Sequence, residues 1–334
     1  MLTTLLRPFR TGGAVLCFHS VTTPALPAEG TAHVPVETFT ALVRAARICG
    51  EIVPLRELVR RHREGRNTSG MIAVTFDDAY AALLTELSDV IARQAIPITV
   101  FAVVNAAATG ATYWWDRIDD LFPRVAPERW RSFEDACGLA DEYRQGQPRE
   151  YGPLRPLRQW LLATHAGRWP QHLDAALDAL EQEIGRRTLH RSMTFEELSE
   201  FTRRPEVEIG VHTVTHPVLP RLADHELEQE IAAGYDALRE RFAAGVVPIL
   251  AAPFGLYDER TLRTARAAGM IASLTLSGVP VDGGTLSDTL PRFCVTTADT
   301  SVRLTMRLLG MRDLVRGWSR SGPAPYPDLP SPTT

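Results

Sequence analysis

The segment Val74–Tyr80, VTFDDAY, carries an apolar, β-branched run straight into two adjacent carboxylates. Ile72–Phe76 has the composition of a buried strand, and Ala81–Gln94 behind it has the apolar spacing of an amphipathic helix. The same β-then-α unit recurs along the chain. Strand candidates fall at Ala14–Ser20, Ile98–Val104, Val207–His212, Val247–Ala251, Ile271–Leu276 and Leu290–Val295, and helix candidates at Val36–Ala46, His225–Phe242 and Asp258–Ala268. Alternation of this kind predicts a parallel α/β sheet or barrel and disfavours antiparallel sandwiches.

The rhythm breaks once. Residues 112–191 hold aromatic, arginine and acidic residues in helical patterns without a convincing strand, so they read as a helical insertion after the third strand. Such an insertion either shapes the mouth of a site or merely covers the side of the barrel. Its Tyr113, Trp114 and Trp115 either stack on a ligand or form core. The expected division is a barrel over 1–111 and 192–300, the insertion over 112–191, an amphipathic helix over 301–320 and a proline-rich tail over 321–334. In Val302–Arg320 the stripe Leu304, Leu308, Met311, Val315 and Trp318 opposes five arginines. It either packs on its own domain or makes peripheral contact with an anionic membrane.

Composition removes several chemistries. The 334 residues contain 36 basic side chains, all arginine. Without lysine there is no Schiff-base enzyme, P-loop nucleotidase, serine–lysine hydrolase or kinase, since each needs a lysine amine. The arginine bias fits a GC-rich coding composition. A net charge of -4 argues against nucleic acid as the main partner, which requires a clustered basic excess. Cys17, Cys49, Cys137 and Cys294 are far apart, form no CxxC pair and are expected as buried thiols. The N-terminal residues lack a long apolar core with a cleavage site, and no run of about 18 apolar residues occurs, so a cytoplasmic protein is expected, membrane-associated if the C-terminal helix binds lipid.

In an extended strand neighbouring side chains point to opposite faces, so Asp77 and Asp78 can serve one site only where the strand ends and the backbone turns. They are then a metal ligand beside a proton acceptor, or a helix cap beside a solvated carboxylate. In EIGVHTVTHP, His212 and His216 would stand about 13 Å apart if extended, at roughly 3.3 Å per residue. The segment must therefore turn, and a helical turn would bring the two side chains within about 5–6 Å at Cβ. With Asp78 they supply three ligands and leave coordination positions open, the pattern of a catalytic ion. His33, His62, His165, His172, His190 and His225 lie in loop or helix patterns and read as surface residues.

DD followed by HxxxH, each at the end of an expected strand, resembles the polysaccharide deacetylases with a NodB-homology domain, the family 4 carbohydrate esterases. The resemblance covers about Ala14 to Val295 outside the insertion. It implies a distorted seven-stranded (β/α) barrel of NodB-homology type. It also implies Asp77 as general base, with Asp78, His212 and His216 holding Zn²⁺ or a similar divalent ion. The family's Arg-x-Pro-aromatic motif corresponds here to Ala251-Ala252-Pro253-Phe254-Gly255. The backbone N–H of Phe254 is then the second oxyanion donor, and the motif's arginine, which orients the base in relatives, is missing. Arg292, in LPRFCV on the last strand, is the candidate replacement. The family's acidic histidine near the C-terminus is also missing, because His225 is the last histidine. Circularly permuted members carry it on the first strand, where LCFHSV places His19. The implied activity is hydrolysis of N-acetyl groups on amino sugars of a polysaccharide, oligosaccharide or lipid-linked glycan. Two alternatives are a sugar-binding protein that keeps the fold without the activity, and a deformylase of a lipid-linked amino sugar.

Overall fold

The structure is a computed structural model that describes residues 12–24, 32–138, 157, 160–161, 164–185, 187, 189–286 and 288–311. Its strands are β1 (Ala14–Phe18), β2 (Ser20–Thr22), β3 (His33–Pro35), β4 (Glu51–Ile52), β5 (Met71–Phe76), β6 (Ile98–Ala102), β7 (Val207–Val211), β8 (Val246–Ala251), β9 (Ala272–Thr275), β10 (Thr289–Pro291) and β11 (Phe293–Cys294). The main sheet runs β10-β9-β8-β7-β6-β5-β1-β11 with every pairing parallel, and β4 joins the outer end of β5. Its two ends are consecutive in the chain. Thr289–Pro291 pairs with β9 and Phe293–Cys294 pairs with β1, so one last strand changes partner at Arg292 and closes the sheet into a barrel of seven positions.

Period-two alternation assigns the side chains. Val15, Ala73, Phe101, Val247, Ile249, Ala251, Ala272 and Leu274 form one buried cluster inside the barrel. Leu16, Val74, Phe76, Val100, Ile209 and Val211 belong to the cluster between the strands and the outer helices. Leu55, Leu58 and Val59 of the helix Leu55–Arg63 join the inner cluster beside Met71 and plug the N-terminal end of the barrel. Only the C-terminal ends of the strands remain for chemistry. Gly210 is required on β7 because a Cβ there would stand 2.2 Å from the Phe101 ring, which occupies the barrel centre.

The outer helices fall where their patterns place them, with local departures. A π-turn, Leu83–Leu87, precedes the helix Ser88–Gln94, and another, Gln229–Ala233, interrupts the run between Asp224 and Phe242. Between Thr112 and Arg191 the described residues form short helices whose Trp114, Ile118, Trp130, Phe133, Leu161 and Leu177 build a separate apolar cluster. The insertion's only ladder contact among the described residues is the bridge Thr112↔Arg191. The C-terminal helix is described over Ser301–Leu308, where Leu304 and Leu308 bury against the same core as Leu42. Its expected continuation through Val315, Trp318 and Arg320 lies outside the described residues. No helix among the described residues is long and apolar enough to cross a membrane.

Candidate active site

At the end of β5, Asp77 continues the inward series Ala73, Thr75, and the next two residues turn the backbone. Asp78 and Ala79 both adopt left-handed conformations, φ 67° and 50°. Such strain in side-chain-bearing residues persists only where neighbours enforce it. Here Tyr113 donates its hydroxyl to the Asp78 carbonyl at 2.9 Å, and the Met193 N–H donates to the Ala79 carbonyl at 2.7 Å. The turn brings both carboxylates, each buried, to one end of the barrel.

The histidine segment turns as well, but without a helix. Thr213 and His216 take left-handed conformations, φ 69° and 62°. Pro217 disfavours the right-handed helical region at His216, so the spacing is not closed by a helix, and the two left-handed residues are held by the contacts around them. Glu230, from the second π-turn, clamps this loop by accepting the N–H groups of Val214 and Thr215 at 2.9 and 2.8 Å and the Thr215 hydroxyl at 2.5 Å. Nothing near VHTVTHP in sequence announces Glu230. A buried glutamate opposite two loop amides is visible only once the helix docks.

His212 Nδ1–H donates to the Ala251 carbonyl at 2.8 Å, which fixes the tautomer and turns Nε2 inward. Its Nε2 lies 3.6 Å from Asp78 Oδ1, and His216 Nε2 lies 3.6 Å from the same oxygen. Donor atoms at metal distances of about 2.0–2.1 Å in a tetrahedral arrangement stand about 3.4 Å apart, so the spacing suits one divalent ion. Burial lowers the basicity of both imidazoles, His216 strongly, which favours the neutral ring that a metal ligand must be. Asp78, His212 and His216 thus form a compact set of oxygen and nitrogen donors at the barrel mouth.

Arg292 enters from the barrel seam. It is fully buried, with Nη1 2.6 Å from Asp77 Oδ1 and Nη2 2.8 Å from Asp77 Oδ2, a bidentate pair. The Phe101 ring lies beneath it, 5.6 Å from the guanidinium carbon. Arg292 therefore reaches the carboxylate that the arginine missing at Ala251 would address. Burial alone would raise the Asp77 carboxyl. The Arg292 charge, His212 and the Arg292 hydrogen bonds outweigh it and hold the group well below the usual carboxylate range. Cys17, on β1, adds a thiol hydrogen bond to Asp77 Oδ2 at 3.4 Å.

His19, two residues beyond Cys17, offers a ring nitrogen within 4.8 Å of the Cys17 sulfur and an Asp77 oxygen. Burial lowers its pKa to about 4, with Asp77 pulling the other way. Phe254 sits in the turn Pro253–Gly255 with φ 58°, its ring 4.7 Å from that of His216. Two histidines expected at the surface are buried instead: His33 bonds Asp116 at 2.8 Å, and His190 lies against it with ring centroids 4.2 Å apart. The insertion, to which Asp116 and His190 both belong, covers His33, which loop-like local sequence does not reveal. The four cysteines form no disulfide, and Cys294 is only partly buried.

The sequence profile of the polysaccharide deacetylase family matches residues 160–273, which include His212, His216 and Phe254. Asp77 and Asp78 lie ahead of that stretch and join it through the fold. Among solved structures, the Streptococcus pyogenes deacetylase PplD in complex with acetate superposes with a TM-score of 0.58 at 12% identity, covering 90% of this chain and 99% of that one. IcaB from Ammonifex degensii gives 0.54 at 15%, covering 90% and 97%. A de-N-acetylase from Aggregatibacter actinomycetemcomitans gives 0.52 at 13%, covering 88% and 99%. At these identities the likeness is one of fold.

Proposed function

We propose, for a chain with the polysaccharide deacetylase family match and the deacetylase fold, that it is a metal-dependent hydrolase removing N-acetyl groups from amino sugars of a polysaccharide, oligosaccharide or lipid-linked glycan. The observation that carries this is the Asp78–His212–His216 donor triangle directly beside an Asp77 gripped by Arg292. Asp78, His212 and His216 would hold the ion, and Zn²⁺ suits the set. A bound divalent ion would polarise the acetyl carbonyl and lower the pKa of water from 15.7 toward about 7.

The side chains then divide the proton work. Asp77, ionised throughout the working range, accepts a proton as water attacks the acetyl carbon. Its low basicity means that the proton moves on rather than staying. His19 is unprotonated at neutral pH, so it can receive that proton and deliver it to the amine as the carbon–nitrogen bond breaks. The proton lost by water ends on the leaving nitrogen, and the products are acetate and a free amino sugar. The Phe254 N–H is the proposed donor to the tetrahedral oxyanion, a role in which one group supplies about 3–4 kcal/mol.

His19→Ala is expected to lower turnover about 10²–10⁴-fold with bound metal unchanged, because proton delivery is lost and the donor triangle is intact. Loss of metal in that variant would make His19 a ligand or a support.

The function itself is tested by product analysis on N-acetyl- and N-formylhexosamine oligomers. Acetate release is expected. Formate alone would make the protein a deformylase, and tight oligomer binding without either product would make it a sugar-binding relative. Arg292 removes the main motive for that last alternative, since Asp77 has its arginine.

A further inference from the structure

A cavity of about 460 Å³ opens beside the donor triangle, and nearly all its walls come from the insertion. Tyr113, Trp115, Arg168 and Trp169 line it on that side, and Thr215 and His216 on the other. Trp114 and Trp115 take different roles. Trp114 is buried and stacks on Trp169, with centroids 5.8 Å apart, inside the insertion's own core. Trp115 is half-buried, with its ring 5.1 Å from that of His216 and Tyr113 stacked behind it at 4.6 Å and 5°.

The Trp115 ring is also held in place by hydrogen bonds. Its Nε1–H donates to the Tyr80 hydroxyl at 2.9 Å, Tyr80 donates to Asp116 Oδ2 at 2.7 Å, and His33 Nε2–H donates to Asp116 Oδ1 at 2.8 Å. Tyr80, Asp116 and His33 are all buried. A core site gains little from three consecutive buried polar groups, each of which must be desolvated. They make sense as a device that fixes the indole beside the reaction site. Across the cavity the Arg168 charge is compensated by Glu226 and Glu230, each at 3.2 Å. The cavity therefore combines a rigid apolar plane, a polar rim and a balanced charge.

We propose that Trp115, backed by Tyr113, is the platform on which the sugar ring bearing the scissile acetamide stacks, and that the chain His33–Asp116–Tyr80 serves to orient it. The ligand is an uncharged N-acetylated pyranose, whose C–H face meets the indole while its hydroxyl edge meets the rim. The insertion is thereby the specificity element. The identity of the ring rests on the deacetylase reading, whereas the platform does not.

The test measures oligomer affinity by calorimetry and acetate release side by side, using N-acetylhexosamine oligomers and, as a ringless control, a short-chain alkyl acetate. Trp115→Ala is expected to weaken oligomer affinity and raise KM by about three- to tenfold. Trp115→Phe should change both less than Trp115→Ala, and Tyr80→Phe should raise KM by a few-fold through a loosened indole. All three variants are expected to keep metal content and to lose less on the alkyl acetate than on the oligomers, and Tyr80→Phe also lowers the melting temperature because it leaves the buried Asp116 carboxylate without one donor. Unchanged oligomer affinity in a folded Trp115→Ala protein overturns the platform, as does loss of metal in step with affinity, which would make Trp115 a mere support for His216. Wild-type protein that binds oligomers through Trp115 but releases no acetate supports the platform and overturns the reaction instead.

Discussion

Arg292→Met is expected to destabilise the fold by about 3–5 kcal/mol and to lower acetate release by about 10²-fold or more. Removing one partner of a buried pair leaves the other charge uncompensated, and Asp77 lies 3% exposed with its bidentate partner gone. The activity loss follows from geometry, since a carboxylate released from a two-point grip is misplaced by a distance that matters at the reacting atoms. Arg292→Lys separates the two effects. It keeps the charge but cannot offer a planar fork, so the fold should largely survive while most turnover is lost. Denaturant unfolding checks stability, and Asp77→Asn in the Arg292→Met background should cost less than in the wild type because the two side chains share one interaction. The pH dependence has a definite sign. The folded-state pKa of Asp77 is depressed, so its stabilisation is full above the unfolded value of about 3.9, declines as pH falls below that value and is gone once pH has fallen through the lower folded value. Arg292→Met should lose that acid-side contribution.

Much of the barrel was legible because strand interiors carry their own signal. Seven β-branched runs matched seven barrel positions, and the end of the second run placed the Asp77–Asp78 pair where a strand gives way to a turn. Arg292 was legible as the arginine at the end of the last strand, although not as the residue at which that strand changes partner from β9 to β1. What escaped was set by residues distant in sequence. The left-handed turn at Asp78 and Ala79 is enforced by Tyr113, Ser192 and Met193, more than 30 residues away. The His212–His216 pair has helical spacing, yet it is folded by Pro217 and by Glu230 on a later π-turn. His33 looked like a loop histidine because the insertion that buries it starts about 80 residues downstream.

The donor triangle makes the second large effect a loss of nearly all activity when the ion is removed. Asp78 lies 3.6 Å from both His212 and His216, and in the other compact donor group among the described residues, Cys17, His19 and Asp77, both oxygens of the carboxylate are already held by Arg292. Asp78→Asn and His216→Ala should both bind Zn²⁺ far more weakly than the wild type, by direct loss of a ligand. The decisive measurement strips the purified protein with a chelator, verifies the metal content and follows acetate release from N-acetylhexosamine oligomers before and after one equivalent of Zn²⁺ is returned. Activity should fall to background on stripping and recover in the wild type, but not in Asp78→Asn. Undiminished acetate release from metal-free protein would contradict the account.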